Sequence, residues 1–299
     1  MAAGSDQTIK MPVVLLTGAS SQIGVFAIPR LLSAGFHVLA VSRKGRPHGY
    51  PAFKQVEWLN EEDAAQASQG CQYLLSAGPM ELAQKFLTAG KHYQAAVVFS
   101  SSSVESKQAS DNPAEKRQMR AMLALESELQ VFAENNAVKL VILRPTLIYG
   151  CGLDTNISRL ANWINRFGFM PVNGKASGLR QPVHADDLAT VAITAMLSKE
   201  ALPTVLSLSG GETLSYSDMV SRIFAALGKP ARLLRLPEWL FVLLVKLAGA
   251  FTGGGINAEM VKRQRHDLVF EDRLARDLLG YKPRPFAPVE GDFSVPDFE

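Results

Sequence analysis

From Val13 onward the chain alternates short unbroken apolar runs with stretches of helical periodicity. The runs are VVLLTG, HVLAVSR, VEWLN, CQYLLSAG, AAVVFSSS and VKLVILRP, rich in leucine and β-branched residues and without strict alternation. Such runs predict strands buried on both faces of a parallel sheet, and helices between them imply right-handed crossovers. The pattern is that of an α/β protein with a doubly wound sheet. A first helix is predicted from about Ile23 to Ser33, closed by Gly35. A longer one runs from about Pro113 to Asn136, with Asp111 or Asn112 placed to cap its free amides.

After Gly150 the rhythm changes. Residues 151–180 are rich in loops and glycine, VHADDLATVAITAML resumes a helix, TVLSLSG is a further strand, and the remainder is mostly helical. These shifts predict a leader over 1–11 and a dinucleotide-binding domain over 12–152 that is rejoined by about 183–210. A smaller, mostly helical substrate domain is built from 153–182 and 211–299.

Composition changes this picture little. A chain of 299 residues with 47% hydrophobic and 20% charged residues reads as soluble and globular. The formal net charge of +3 is scattered along the chain, which argues against a nucleic-acid partner. Two cysteines, Cys71 and Cys151, form no disulfide framework, and the five histidines never fall at metal-ligand spacing, so no metal is expected. With no signal-like segment in the leader, a reducing cytoplasm is the expected location. The stretch LPEWLFVLLVKLAGAF, residues 236–251, contains Lys246 and falls short of the roughly 20 apolar residues of a spanning helix. It is expected to bury itself in a lid or dimer face, or else to touch a membrane surface.

The candidate chemistry lies at strand ends. VVLLTGASSQIG passes from a buried strand through Gly18, Ser20, Ser21, Gln22, Ile23 and Gly24 into a helix, the arrangement of a turn that holds a dinucleotide pyrophosphate at a helix N-terminus. Ser21 stands where a middle glycine is usual and offers a hydroxyl to a phosphate oxygen. The second strand ends in Ser42, Arg43 and Lys44 rather than in the Asp or Glu that would take ribose hydroxyls. That ending favours NADP(H), with its 2′-phosphate, over NAD(H). Ala77 and Gly78, after the fourth strand, complete the expected cofactor floor. The stretch VFSSSSVESKQ places Ser100, Ser101 and Ser102 at the end of the fifth strand, with Lys107 behind them.

Taken in order, TGASSQIG, VVFSSSSV, LRPTLIYG and QPVHADDLA resemble the extended short-chain dehydrogenase/reductases, the NAD(P)-dependent epimerase/dehydratase family that includes nucleotide-sugar epimerases. The resemblance implies a seven-stranded Rossmann sheet, a C-terminal substrate domain, a nicotinamide cofactor and a homodimer. It places Ser102 on the catalytic serine, with Ser100 and Ser101 facing the cofactor, and Arg180 on an arginine that grips a substrate pyrophosphate. Arg263 or Arg265 falls on a second cation for the same diphosphate, while His184 and Asp187 take structural roles.

One departure is sharp. The family's Y-x-x-x-K pair, in which tyrosine exchanges a proton with the substrate and lysine lowers its pKa, would fall on Gln118 and Met122. Moving the register puts Arg120 and Ala124 there instead, and no tyrosine occurs between Tyr93 and Tyr149. Lys107 and Tyr149 are the conceivable substitutes. Two readings follow: an atypical hydride-transfer enzyme acting on a nucleotide-linked sugar or a similar hydroxy or keto metabolite, or a dinucleotide-binding module without turnover, such as a redox sensor or assembly subunit.

Overall fold

The computed structural model describes residues 11–89, 93–106, 112–241 and 264–295. Six strands carry the predicted runs: β1 (Val13–Thr17), β2 (His37–Val41), β3 (Val56–Leu59), β4 (Tyr73–Ser76), β5 (Ala95–Phe99) and β6 (Lys139–Pro145). A seventh, β7 (Val205–Leu208), joins them, and the order across the sheet is β7-β6-β5-β4-β1-β2-β3. Every pairing is parallel. The order reverses between β1 and β4, which opens a crevice at their C-terminal ends.

The unbroken apolar runs follow from this sheet. Val14 and Leu16 point into one core, shared with Val25, Ile28 and Leu31 of α1 (Gly24–Ser33) and with Leu188 and Ala192 of α7 (Ala185–Leu197). Leu15 points the other way, into a core with Phe86 of α3 (Met80–Ala89) and Leu129 of α5 (Pro113–Asn135). A strand covered on both faces has no polar side to alternate with. A third cluster, built around Tyr149, Val172 and Phe286, belongs to the remaining elements, including α6 (Ile157–Phe167) and α8 (Tyr216–Ala226).

The helix ends match their local chemistry. Asn112, not Asp111, caps α5 by accepting from Ala114 N at 2.9 Å. His184 caps α7 through Asp186 N at 3.1 Å, and Asp187 binds Arg284, so both take the structural roles expected of them. Of the segment 236–251, only residues up to Phe241 fall within the described residues. Among the described residues, no helix is long and apolar enough to cross a membrane.

Pro29 lies inside α1 and has no N–H to give to the carbonyl of Val25. The buried hydroxyl of Tyr50 donates to that carbonyl at 2.8 Å and replaces the missing bond. Tyr50→Phe is therefore expected to lower stability by about 1–2 kcal/mol in urea denaturation, because a buried acceptor loses a donor. Adding Pro29→Ala, which restores the helical N–H, should shrink that loss; an undiminished loss in the double variant would show that the hydroxyl acts elsewhere.

Candidate functional site

The turn after β1 is built by backbone contact. Gly18 has φ +66°, and a Cβ there would lie 2.5 Å from Gly78 N and 2.6 Å from Ala77 C. Gly24, at the start of α1, would carry a Cβ 2.3 Å from Gly18 O. Neither position admits a side chain, so the turn lies flat against the β4 end and directs the N-terminus of α1 into the crevice. Ser21 Oγ accepts from Gly24 N at 3.1 Å, which ties the serine to the helix start and leaves its own proton to donate. Gln22 Oε1 is buried with no hydrogen-bond partner, an acceptor awaiting a donor.

Hydroxyls line the neighbouring strand ends. Thr17 Oγ1 donates to Ser76 Oγ at 2.7 Å, and Ser20 Oγ meets the buried Ser42 Oγ at 2.9 Å. Arg43 and Lys44 follow Ser42 and are exposed, so their charges stand at the rim of the β2 end.

At the end of β5 the serines differ in their partners. The Ser100 hydroxyl donates to Glu126 Oε1 at 2.5 Å. Glu126 is buried and paired with Arg144, whose Nε lies 3.1 Å from the same oxygen and whose Nη1 reaches Glu105 at 2.8 Å. The hydrogen bonds that Arg144 donates to Glu126, outweighing burial, push its pKa still higher, so this guanidinium stays charged. Ser101 Oγ accepts from Ser103 N at 3.1 Å. The hydroxyl of Ser102, a buried residue, makes no hydrogen bond among the described residues.

Ser101, Ser102 and Gln22 line one end of a cavity of about 930 Å³. Its walls continue through Thr146 and Ile148 beyond β6, along α6 at Ile157, Leu160 and Trp163, and on to Arg180, Tyr216, Gln264 and Phe270. The glycine turn and the large cavity therefore meet at Gln22. Arg180 lines the wall, with Nη1 donating to Leu179 O at 2.6 Å and His266 O at 2.8 Å, and its guanidinium 5.6 Å from the Tyr216 ring centroid. Burial pushes the Tyr216 hydroxyl up to about 12 against the pull of Arg180, so it is a proton donor at neutral pH.

Other expectations fall elsewhere. Tyr149 is no proton relay at the wall: it is 1% exposed, packed at 4.9 Å against Phe286 and 5.0 Å against His184, and burial pushes its hydroxyl pKa far up. Arg265 is exposed and paired with Glu238 at 3.0 Å, while its neighbour Gln264 lines the cavity instead. Lys107 and Arg263 lie outside the described residues. At the positions of the absent pair, Gln118 is exposed and Met122 packs into the α3–α5 core, so neither supplies the relay. Tyr216 and Gln264 were not singled out from the sequence, and no motif surrounds them. Among the described residues, no group of His, Cys, Asp or Glu could hold a metal.

The seven-stranded parallel sheet is a Rossmann-type fold, as the ordered motifs led one to expect, and solved sugar-nucleotide epimerases share it. The structure overlays on UDP-glucuronic acid 4-epimerase from Bacillus cereus, solved with UDP-glucuronic acid and NAD, with a TM-score of 0.69 and 18% identity over 94% of this chain and 98% of that one. It overlays on UDP-N-acetylglucosamine 4-epimerase from Bacillus cereus with a TM-score of 0.65 and 14% identity, covering 96% and 95% of the two chains. In sequence the chain is 27% identical over 158 residues to UDP-glucose 4-epimerase of Vibrio cholerae, a match covering 53% of this chain and 46% of that protein. A match to an uncharacterized Sinorhizobium fredii protein covers 43% of that relative, so the chain spans under half the length of the curated relatives it matches. No family model matches the chain.

The Ser100–Glu126–Arg144 network fixes the β5 end to α5 and β6. Glu126→Leu removes one partner of a buried pair and is expected to cost about 3 kcal/mol in urea denaturation at unchanged m. A loss near zero would show that the pair is solvated and that Glu105 suffices for Arg144.

Proposed function

We propose that the chain binds a nicotinamide dinucleotide on the glycine turn and acts as an oxidoreductase or epimerase at a hydroxyl-bearing carbon of a nucleotide-linked sugar. The observation that carries this reading is the meeting of two features at Gln22: a turn that excludes side chains at Gly18 and Gly24, and a 930 Å³ cavity whose wall includes Ser102 and Arg180. The orphaned Gln22 Oε1 and the amides at the start of α1 suit a polar, anionic group lying along the turn. When bound, the nicotinamide supplies a hydride acceptor or donor.

The chain's own residues bind and orient. Gly18 to Gly24 would hold the pyrophosphate, Ser42, Arg43 and Lys44 the 2′-phosphate of NADP(H), and Ser101 the floor beside Ser102. UDP-glucuronic acid 4-epimerase from Bacillus cereus was solved with NAD, which supports the dinucleotide and leaves the preference for NADP(H) resting on the charge at the β2 end. Ser102, which lines the cavity, would hold a substrate oxygen by donating to it. Arg180, fixed by two carbonyls, offers charge to a substrate phosphate. Lys107 is the remaining candidate for the proton partner.

A second reading is favoured by one observation: Gln118 points to solvent and Met122 into the core, where a catalytic pair would be needed. On that reading the chain binds the dinucleotide without turnover, as a sensor or assembly subunit.

Calorimetry with NADPH and NADH separates the cofactor assignments. NADPH is expected to bind tighter, and Arg43→Asp to weaken it about tenfold or more while sparing NADH. Equal affinities in the unaltered protein would remove the 2′-phosphate assignment and keep the dinucleotide. On a panel of UDP-sugars, Ser102→Ala is expected to lower turnover about a hundredfold. Intact dinucleotide binding with no turnover of any of these sugars would decide for the binding module.

A further inference from the structure

Three aromatic side chains are exposed among the described residues, Phe167, Phe169 and Trp239, and all lie in the half of the chain that carries α6 and α8. Two of them form a platform with Trp163. The Trp163 ring lies 4.3 Å from that of Phe167 and 6.5 Å from that of Phe169, and its Nε1 donates to Phe169 O at 3.0 Å, which fixes the group as one surface. Phe167 remains 45% and Phe169 37% exposed, so apolar surface faces water where burial would have been favourable.

The charge around this platform has one sign. Arg166 lies 5.1 Å from the Phe167 ring, Lys229 Nζ donates to Asn165 O at 3.0 Å, and Arg232 O accepts from Met170 N at 2.9 Å. Arg166 and Lys229 thus carry charge to the helix that bears the aromatic group, and Arg232 is exposed on the segment whose backbone pairs with Met170. The two segments that build it, 157–175 and 228–236, contain no Asp or Glu. Along α6 the buried side chains are Ile157, Ser158, Ala161 and Ile164, while Arg159 and Arg166 face solvent. An aromatic surface with a cationic margin and a belt-forming tryptophan is what the headgroup region of an anionic bilayer accepts.

The platform also continues into the cavity. Trp163, Phe169 and Leu234 line it, and Phe169 and Leu234 are at the same time exposed, at 37% and 49%, so the cavity opens beside the aromatic group. From these observations we infer that this face docks on anionic lipid bilayers, with Phe167 and Phe169 entering the interface and Arg166, Lys229 and Arg232 meeting the headgroups. The inference is independent of the substrate and cofactor assignments above.

Co-sedimentation of the full chain with phosphatidylcholine vesicles, with and without phosphatidylglycerol, tests it. The protein is expected to sediment with the anionic vesicles, to do so less as salt is raised, and to remain in solution with phosphatidylcholine alone. Phe167→Ser with Phe169→Ser, and separately Arg166→Glu with Arg232→Glu, are expected to weaken binding roughly tenfold or more, with thermal unfolding unchanged for these surface positions. Failure to bind anionic vesicles, or binding that survives both pairs of substitutions, would overturn the inference. So would a dimer in sedimentation velocity that the phenylalanine pair dissociates, since a second copy would then own the surface.

Discussion

Gly18 approaches the β4 turn so closely that the site has room for backbone alone. With φ at +66° and an ideal Cβ 2.5 Å from Gly78 N, the residue can be only glycine, and Gly24, whose Cβ would meet Gly18 O at 2.3 Å, repeats the constraint one turn later. Everything at the sheet's C-terminal edge depends on that contact. It sets how far α1 stands from β1, and therefore where its free amides point. It also leaves a floor made of short hydroxyl side chains, Thr17 with Ser76 and Ser20 with Ser42, which satisfy one another while the crevice stays open.

Beside that floor, the chain has exchanged one use of α5 for another. Glu126 remains buried on the helix and holds Ser100 and Arg144, so the helix is locked to β5 and β6 by charge-assisted bonds. Two turns earlier, Gln118 faces water, and one turn earlier Met122 faces the core. The helix anchors the sheet, and neither Gln118 nor Met122 carries a group that exchanges a proton. Ser100 is drawn into the anchor as well, which leaves Ser101, Ser102, Ser103 and Ser106 as the serines of this stretch that line the cavity.

The sheet was legible because strand burial is a local property: Val14, Leu15 and Leu16 must all be apolar when both faces are covered, and the runs say so. The glycine turn was legible because Gly18 and Gly24 stand close together in one strand–helix junction, although the atoms that crowd Gly18 belong to Ala77 and Gly78. The roles of Ser100, Tyr149 and Arg265 were not. Ser100 takes its partner 26 residues away, on a helix whose phase relative to β5 no local pattern gives. Tyr149 ends a two-residue strand, too short for a period to show which face is buried. Arg265 and Gln264 are neighbours in a turn, and a shift of one position exchanges the residue at the cavity wall for the one at the surface. The cavity itself is assembled from Gln22 and from segments near 101–106, 146–171, 180–181, 216–241 and 264–270, so its composition is a property of the fold rather than of any stretch.

That composition bears on what Arg180 can do. Among the described lining residues the charged ones are Asp154, Arg159 and Arg180, and Asp154 is engaged with Ser158 and with Asn156 N at 2.9 Å. The rest of the wall is dominated by Leu, Ile, Met and aromatic side chains. A charge in such surroundings is less screened than one in water, so an anion beside Arg180 interacts more strongly than the same pair at the surface. The guanidinium is also held before any ligand arrives, by Leu179 O, His266 O and the Tyr216 ring, and little rotamer entropy remains to be lost on binding. On the proposed reading, a cation fixed in an apolar wall would orient one anionic group and leave the remainder of a ligand to be selected by shape.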